Sequence, residues 1–190
     1  MANRNAPAGF QVRGHVSGGE ANRFNQHHIL AGLAENIYRG DLVAPSATSK
    51  NVNLQAAVTS RVIGVFDGCF YIDSNGDPQF RPRWASGTTL KTGTIADCNV
   101  YDDPKALFEV QASAGFVLAD IGAFANPTTA VAGNNSSGQS GMQLDSASIG
   151  TGATLKIIDI SRKVDNGFGT NAKVIVGLPL HFLAGAMTTN

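Results

Sequence analysis

The chain has 190 residues, of which only 15% are charged, with 14 basic and 14 acidic side chains and 22 glycines. The cancelled charge supplies no field to attract a phosphate backbone or an anionic lipid surface, which argues against nucleic acid and membrane as partners. The length suits one domain with its own core, and the sparse charge leaves little repulsion between copies, favouring an ordered assembly over a free monomer.

Residues 1–36 are rich in Asn, Gly, Gln and His, with Gly18-Gly19 in the middle. Their apolar groups are too scattered to cover a helix face, so the segment reads as an N-terminal arm that needs an outside surface to become ordered. Phe10, Val12, Phe24, Ile29 and Leu33 are its candidate interface residues. Nothing at the N-terminus has the apolar core of a signal peptide, and no run approaches the roughly 18 apolar residues of a membrane span, so folding in a cytoplasm is expected.

Residues 37–190 read as a single β domain. Ile37 to Pro45 is strand, turn, strand, and Asn51 to Ser60 alternates Val52, Leu54, Ala56 and Val58 with polar residues, the period of a half-buried strand. Arg61-Val62-Ile63-Gly64-Val65-Phe66 and Cys69-Phe70-Tyr71-Ile72 flank Asp67-Gly68 and stop at Asp73-Ser74-Asn75-Gly76-Asp77-Pro78, a hairpin signal. Further strands are expected at Gln79 to Ala85, Gly87 to Leu90, Asn99 to Tyr101 and, after the Asp102-Asp103-Pro104 turn, Leu107 to Ala112. Gly115 to Gly122 fits either a strand or a short helical turn. The Gly/Asn/Ser-rich stretch 126–141 reads as a surface loop. Met142 to Asp145, Thr154 to Ile160 and Ala172 to Leu183 complete the set. Many short strands without a long helix predict an all-β fold, a β-barrel or sandwich-like domain with an extended N-terminal arm. Val62, Val65, Phe66, Phe70, Trp84, Phe108 and Val110 are expected to share one core, and Cys69 and Cys98 to be reduced core thiols.

The candidate chemistry is thin. Arg39-Gly40-Asp41 is a tripeptide of integrin ligands, but between two short strands it is ordinary turn sequence. Asp73, Asn75 and Asp77 match the opening of a calcium loop, yet Trp84 stands where the bidentate Glu belongs and Pro78 interrupts, so a hairpin turn is expected. His15, His27, His28 and His181 have no Glu or Cys at ligand spacing. No nucleophile elbow or phosphate loop is present. No catalytic residue, metal ligand or cofactor is expected, and the protein reads as a non-enzyme.

Tyr38-Arg39-Gly40-Asp41-Leu42-Val43, the run Arg61 to Tyr71, Val100 to Pro104 and Phe108-Glu109-Val110-Gln111 together resemble tailed-bacteriophage virion proteins of the capsid decoration, or cement, type. The likeness covers residues 37–112 and is weaker over Lys156 to Leu183. It implies a β-barrel-like structural protein on the outer capsid surface of a virion assembled in the host bacterial cytoplasm. Its partner would be the major capsid protein, whose neighbouring subunits it would bridge and stabilise, as a homo-oligomer, dimer or trimer. No site residues transfer, because cement proteins work through whole surfaces. The alternatives are a tail, neck or fibre-associated virion protein, a receptor- or carbohydrate-binding β module with Trp84, Tyr71 and Tyr101 as an aromatic platform, and, last, a hydrolase.

Overall fold

The computed structural model describes residues 3–19, 23–46, 51–54, 61–129 and 131–185. The chain is nearly all β. In order the strands are β1 (Gln11–His15), β2 (Asn25–Ile29), β3 (Ile37–Tyr38), β4 (Leu42–Pro45), β5 (Val52–Leu54), β6 (Gly64–Ile72) and β7 (Pro78–Arg81), then β8 (Arg83–Trp84), β9 (Ala96–Tyr101), β10 (Ala106–Gln111), β11 (Phe124–Pro127), β12 (Leu144–Asp145), β13 (Leu155–Ile160) and β14 (Lys173–Gly177). Among the described residues, two single turns of 3-10 helix, Leu118–Asp120 and Ser146–Ser148, and one α-helical turn, Phe182–Gly185, complete the elements. Among the described residues no helix is long and apolar enough to cross a membrane.

The strands build two antiparallel sheets, and the second bends round until its two end strands meet. One has the order β1-β10-β14-β13-β11-β12, and a parallel bridge from Ala112 to Leu144 ties β12 back to the end of β10. The other runs β2-β9-β6-β4-β5, with β7 attached to β6, and a parallel bridge from His28 to Asn51 ties β2 to the start of β5. Closure of this kind leaves few unpaired edges. A small third pairing, β3 with β8, carries Trp84 under the second sheet.

Two hydrophobic clusters fill these sheets. The first gathers Phe10, Phe108, Val110, Phe116, Leu144, Leu155, Ile157, Val174 and Val176; the second gathers Ile29, Ile37, Val52, Phe66, Trp84, Cys98 and Val100. Neighbours along the chain divide between them: Leu42, Val62 and Val65 face the first, while Val43, Ile63 and Phe66 face the second. Because side chains alternate along a strand, β4 and the start of β6 form a partition buried on both faces. That is why Arg61 to Phe66 reads as a nearly unbroken apolar run. The expectation of one core is corrected accordingly, and Phe70, which points away from both clusters, belongs to neither.

The N-terminal segment is also corrected. Its residues do not wait for an outside surface: β1 pairs with β10 and β2 with β9. Phe10 is only 1% exposed and its N–H donates to Gly40 O at 2.8 Å. Asn3 bonds Gly167 and Thr170, and Ala6 N–H donates to Gln111 Oε1 at 2.9 Å. An edge strand needs only alternate apolar groups, since a neighbouring strand satisfies its backbone. The partners here lie from about 70 to about 165 residues away along the chain, so local spacing could not reveal them.

The stretch 126–141 is likewise only partly a surface loop. It begins inside β11, and Gly138, Ser140 and Gly141 are buried. A Cβ at Gly133 would sit 2.4 Å from the Tyr38 ring, so glycine is required there by close approach. Gly87 to Leu90 forms no strand beyond a single bridge from Leu90 to Asp73. The undecided stretch 115–122 contains a 3-10 turn. Residues 55–60 of the predicted Asn51–Ser60 strand lie outside the described residues, as does Ala130 of the loop.

Candidate functional site

Of the five predicted interface residues, Phe10 and Ile29 are buried in the chain's own cores, and Val12 and Leu33 pack against them. Phe10 and Ile29 are thus covered by the chain itself, while Val12 and Leu33 are half-buried. Phe24 alone keeps an accessible ring, edge-on to Tyr101 with centroids 6.1 Å apart. The aromatic platform of Trp84, Tyr71 and Tyr101 is not formed. Trp84 is fully buried, Tyr71 packs edge-on against it at 5.5 Å, and Tyr101 faces Phe24 instead.

Arg39-Gly40-Asp41 is the turn between β3 and β4. Asp41 is buried, accepting from Tyr38 N–H at 2.7 Å and from the Ser140 hydroxyl. Burial pushes its carboxyl up to about 6, against the pull of those two hydrogen bonds. At the predicted hairpin turn, Asp73 Oδ1 accepts from Asn75 and Asp77 N–H at 2.9 and 3.0 Å. Its carboxylate is thus spent on closing the turn.

The histidines separate as strand alternation predicts. His27 Nε2 meets Asp102 at 2.9 Å, whereas His28 Nδ1 meets Asp97 at 2.8 Å on the other face of β2. His181 is buried beside Val62, and burial holds its imidazole below the usual value despite the opposing pull of Asp102 and Asp103. Among the described residues no three His, Cys, Asp or Glu side chains gather to hold a metal ion. Cys69 and Cys98 are free, buried and directly opposed on β6 and β9.

Two surface features stand out. The first is an apolar rim. Val117, Leu118, Phe124, Ile158 and Phe168 are exposed, Leu118 by 68%. Their backbones are interlocked: Phe116 and Gly169 exchange hydrogen bonds at 3.1 and 2.8 Å, and the Asp120 carboxylate accepts from Val117 N–H at 2.7 Å. Gly122 N–H donates to Ile157 O at 3.1 Å, and Lys156 lies 4.1 Å over the Phe124 ring.

The second is a groove of about 530 Å³ on the outer face of the second sheet, lined by Gln26, Arg39, Asp67, Phe70, Phe80, Arg81, Asp97 and Asn99. Pairing across β2, β9, β6 and β7 aligns His28, Asp97, Phe70 and Phe80 in one row and Gln26, Asn99 and Gly68 in the next. Asp67 is the extra residue of a bulge between Phe66 and Gly68, which turns its carboxylate toward Arg39 Nε at 2.7 Å. Sequence reading missed this site, because its residues come from four strands. The one local signal was Pro78-Gln79-Phe80-Arg81-Pro82, a large aromatic on a strand that prolines keep at the edge.

No protein-family model, curated protein or solved structure matches the chain.

Proposed function

We propose that the protein is a structural virion component of the capsid decoration type, binding the outside of a phage capsid and bridging major capsid protein subunits. The observation that carries this reading is the apolar rim of Val117, Leu118, Phe124, Ile158 and Phe168. Exposed apolar patches mark interaction sites. This one is held in place by backbone hydrogen bonds before any partner arrives, so docking loses little conformational freedom. The balanced charge also favours close packing of copies on a shell.

The test is addition of purified protein to capsids that lack it. Binding should saturate at a copy number comparable to that of the major capsid protein, and Leu118→Asp should weaken it about tenfold or more while leaving the melting temperature unchanged. Attachment only at the tail vertex, or full binding by Leu118→Asp, refutes the reading.

A further inference from the structure

We propose that the groove on the outer face of the second sheet binds a neutral oligosaccharide, with Phe70 and Phe80 as the stacking surface and Asn99, Gln26 and Asp97 as the hydroxyl-binding edge. The first support is the aromatic pair. Phe80 is 80% exposed on an edge strand, and its ring lies 4.6 Å from that of Phe70 at a tilt of 40°. The exposed Phe80 ring, backed by the half-buried Phe70, presents an apolar face of the kind that stacks against the C–H side of a pyranose ring.

The second support is the edge beside those rings. The amides of Gln26 and Asn99 have no hydrogen-bond partner among the described residues, although both line the groove. Each can donate and accept at once, as vicinal hydroxyls require. Asp97 uses one carboxylate oxygen on His28 at 2.8 Å and keeps the other as an acceptor. In line with the two amides stands Gly68, with φ of +142° and Arg81 O only 3.0 Å from where a Cβ would lie. The absent side chain leaves the groove floor open between Asn99 and Arg81.

The third support is charge. Arg39 is paired with Asp67, and Arg81 is matched by Asp97, so the lining carries no net charge. A polyanion gains nothing there, while an uncharged polyhydroxylated ligand meets both donors and acceptors. The groove draws on β2, β6, β7 and β9, whereas the apolar rim is built around β11 and β13, so the two surfaces are separate and can be tested separately.

The experiment is saturation-transfer NMR and calorimetry on the full chain with three probes: maltohexaose, cellohexaose and the hexamer of N-acetylglucosamine. A sulfated heparin hexamer serves as the anionic control. At least one neutral hexamer should receive saturation from the aromatic protons on its ring C–H positions. Phe80→Ala and Asn99→Ala should each weaken its binding about tenfold with unchanged melting temperature, because Phe80 is exposed and Asn99 points outward. Absence of transfer to all three neutral probes at low-millimolar concentration overturns the proposal. So does equal binding by Phe80→Ala, or preference for heparin. Loss of capsid binding in Phe80→Ala without any sugar binding also overturns it, and assigns the groove to the shell.

Discussion

Replacing Asp41 by Asn should stabilise the protein at neutral pH and not at pH 4. Asp41 is 3% exposed, and burial raises its carboxyl from 3.8 to about 6. The native state therefore holds its proton more tightly than the unfolded chain, so stability is fully present below 3.8 and falls as pH rises through 6. At about 1.4 kcal/mol per tenfold, the loss above pH 6 approaches 3 kcal/mol. An Asn side chain keeps an oxygen for Tyr38 N–H and offers its amide to Ser140, without carrying a charge. Ser140 Oγ also receives Met142 N–H at 2.9 Å, and its own proton must turn elsewhere, so 3 kcal/mol is an upper value. Urea unfolding between pH 4 and 8 can be followed by the fluorescence of Trp84, the sole tryptophan, which is fully buried. His181 titrates in the opposite sense, since burial lowers its pKa, but subtracting wild type from Asp41→Asn removes that contribution. The gain should grow from nothing near pH 4 to its plateau near pH 7. A pH-independent loss in Asp41→Asn would refute the reasoning. Asp41→Ala should be destabilising throughout, by about 1–3 kcal/mol for each partner left unsatisfied.

Phe108→Ala should cost about 3–5 kcal/mol, since its ring is fully buried in the first cluster, and a change below about 1 kcal/mol in the same urea assay would contradict that packing. Deleting residues 2–16 removes β1 and Phe10 and should lower the melting temperature sharply, whereas a folded, unaltered truncation product would mean that the segment is dispensable. The Cys69 thiol, pushed up to about 12 chiefly by burial, and the Cys98 thiol, pushed up by burial and by Cys69, should stay silent to a thiol reagent until urea unfolds the chain. EDTA should leave the melting temperature unchanged, because Asp73 is occupied with turn N–H groups; a large fall would reveal a metal at that turn.

The all-β class was legible in the sequence because period-two alternation and Gly or Pro breaks are local properties. Asp73 to Pro78 announced its hairpin, and Arg61 to Phe66 showed as a compact apolar run beside it. What that run could not show is that Val65 and Phe66 face different cores, since an unbroken apolar stretch looks the same whether one cluster or two surrounds it. Phe10 and Ile29 were misread as interface residues because a sparse segment acquires its burial from strands far along the chain. The groove was invisible for the same reason. Gln26, Gly68, Phe80 and Asn99 mean little singly and become one surface only when the register of four strands lines them up. Local pattern determines which residues extend and which turn, for steric and hydrogen-bonding reasons acting over a few residues. Tertiary structure decides which side chains meet, because sheet register joins segments that no local spacing connects.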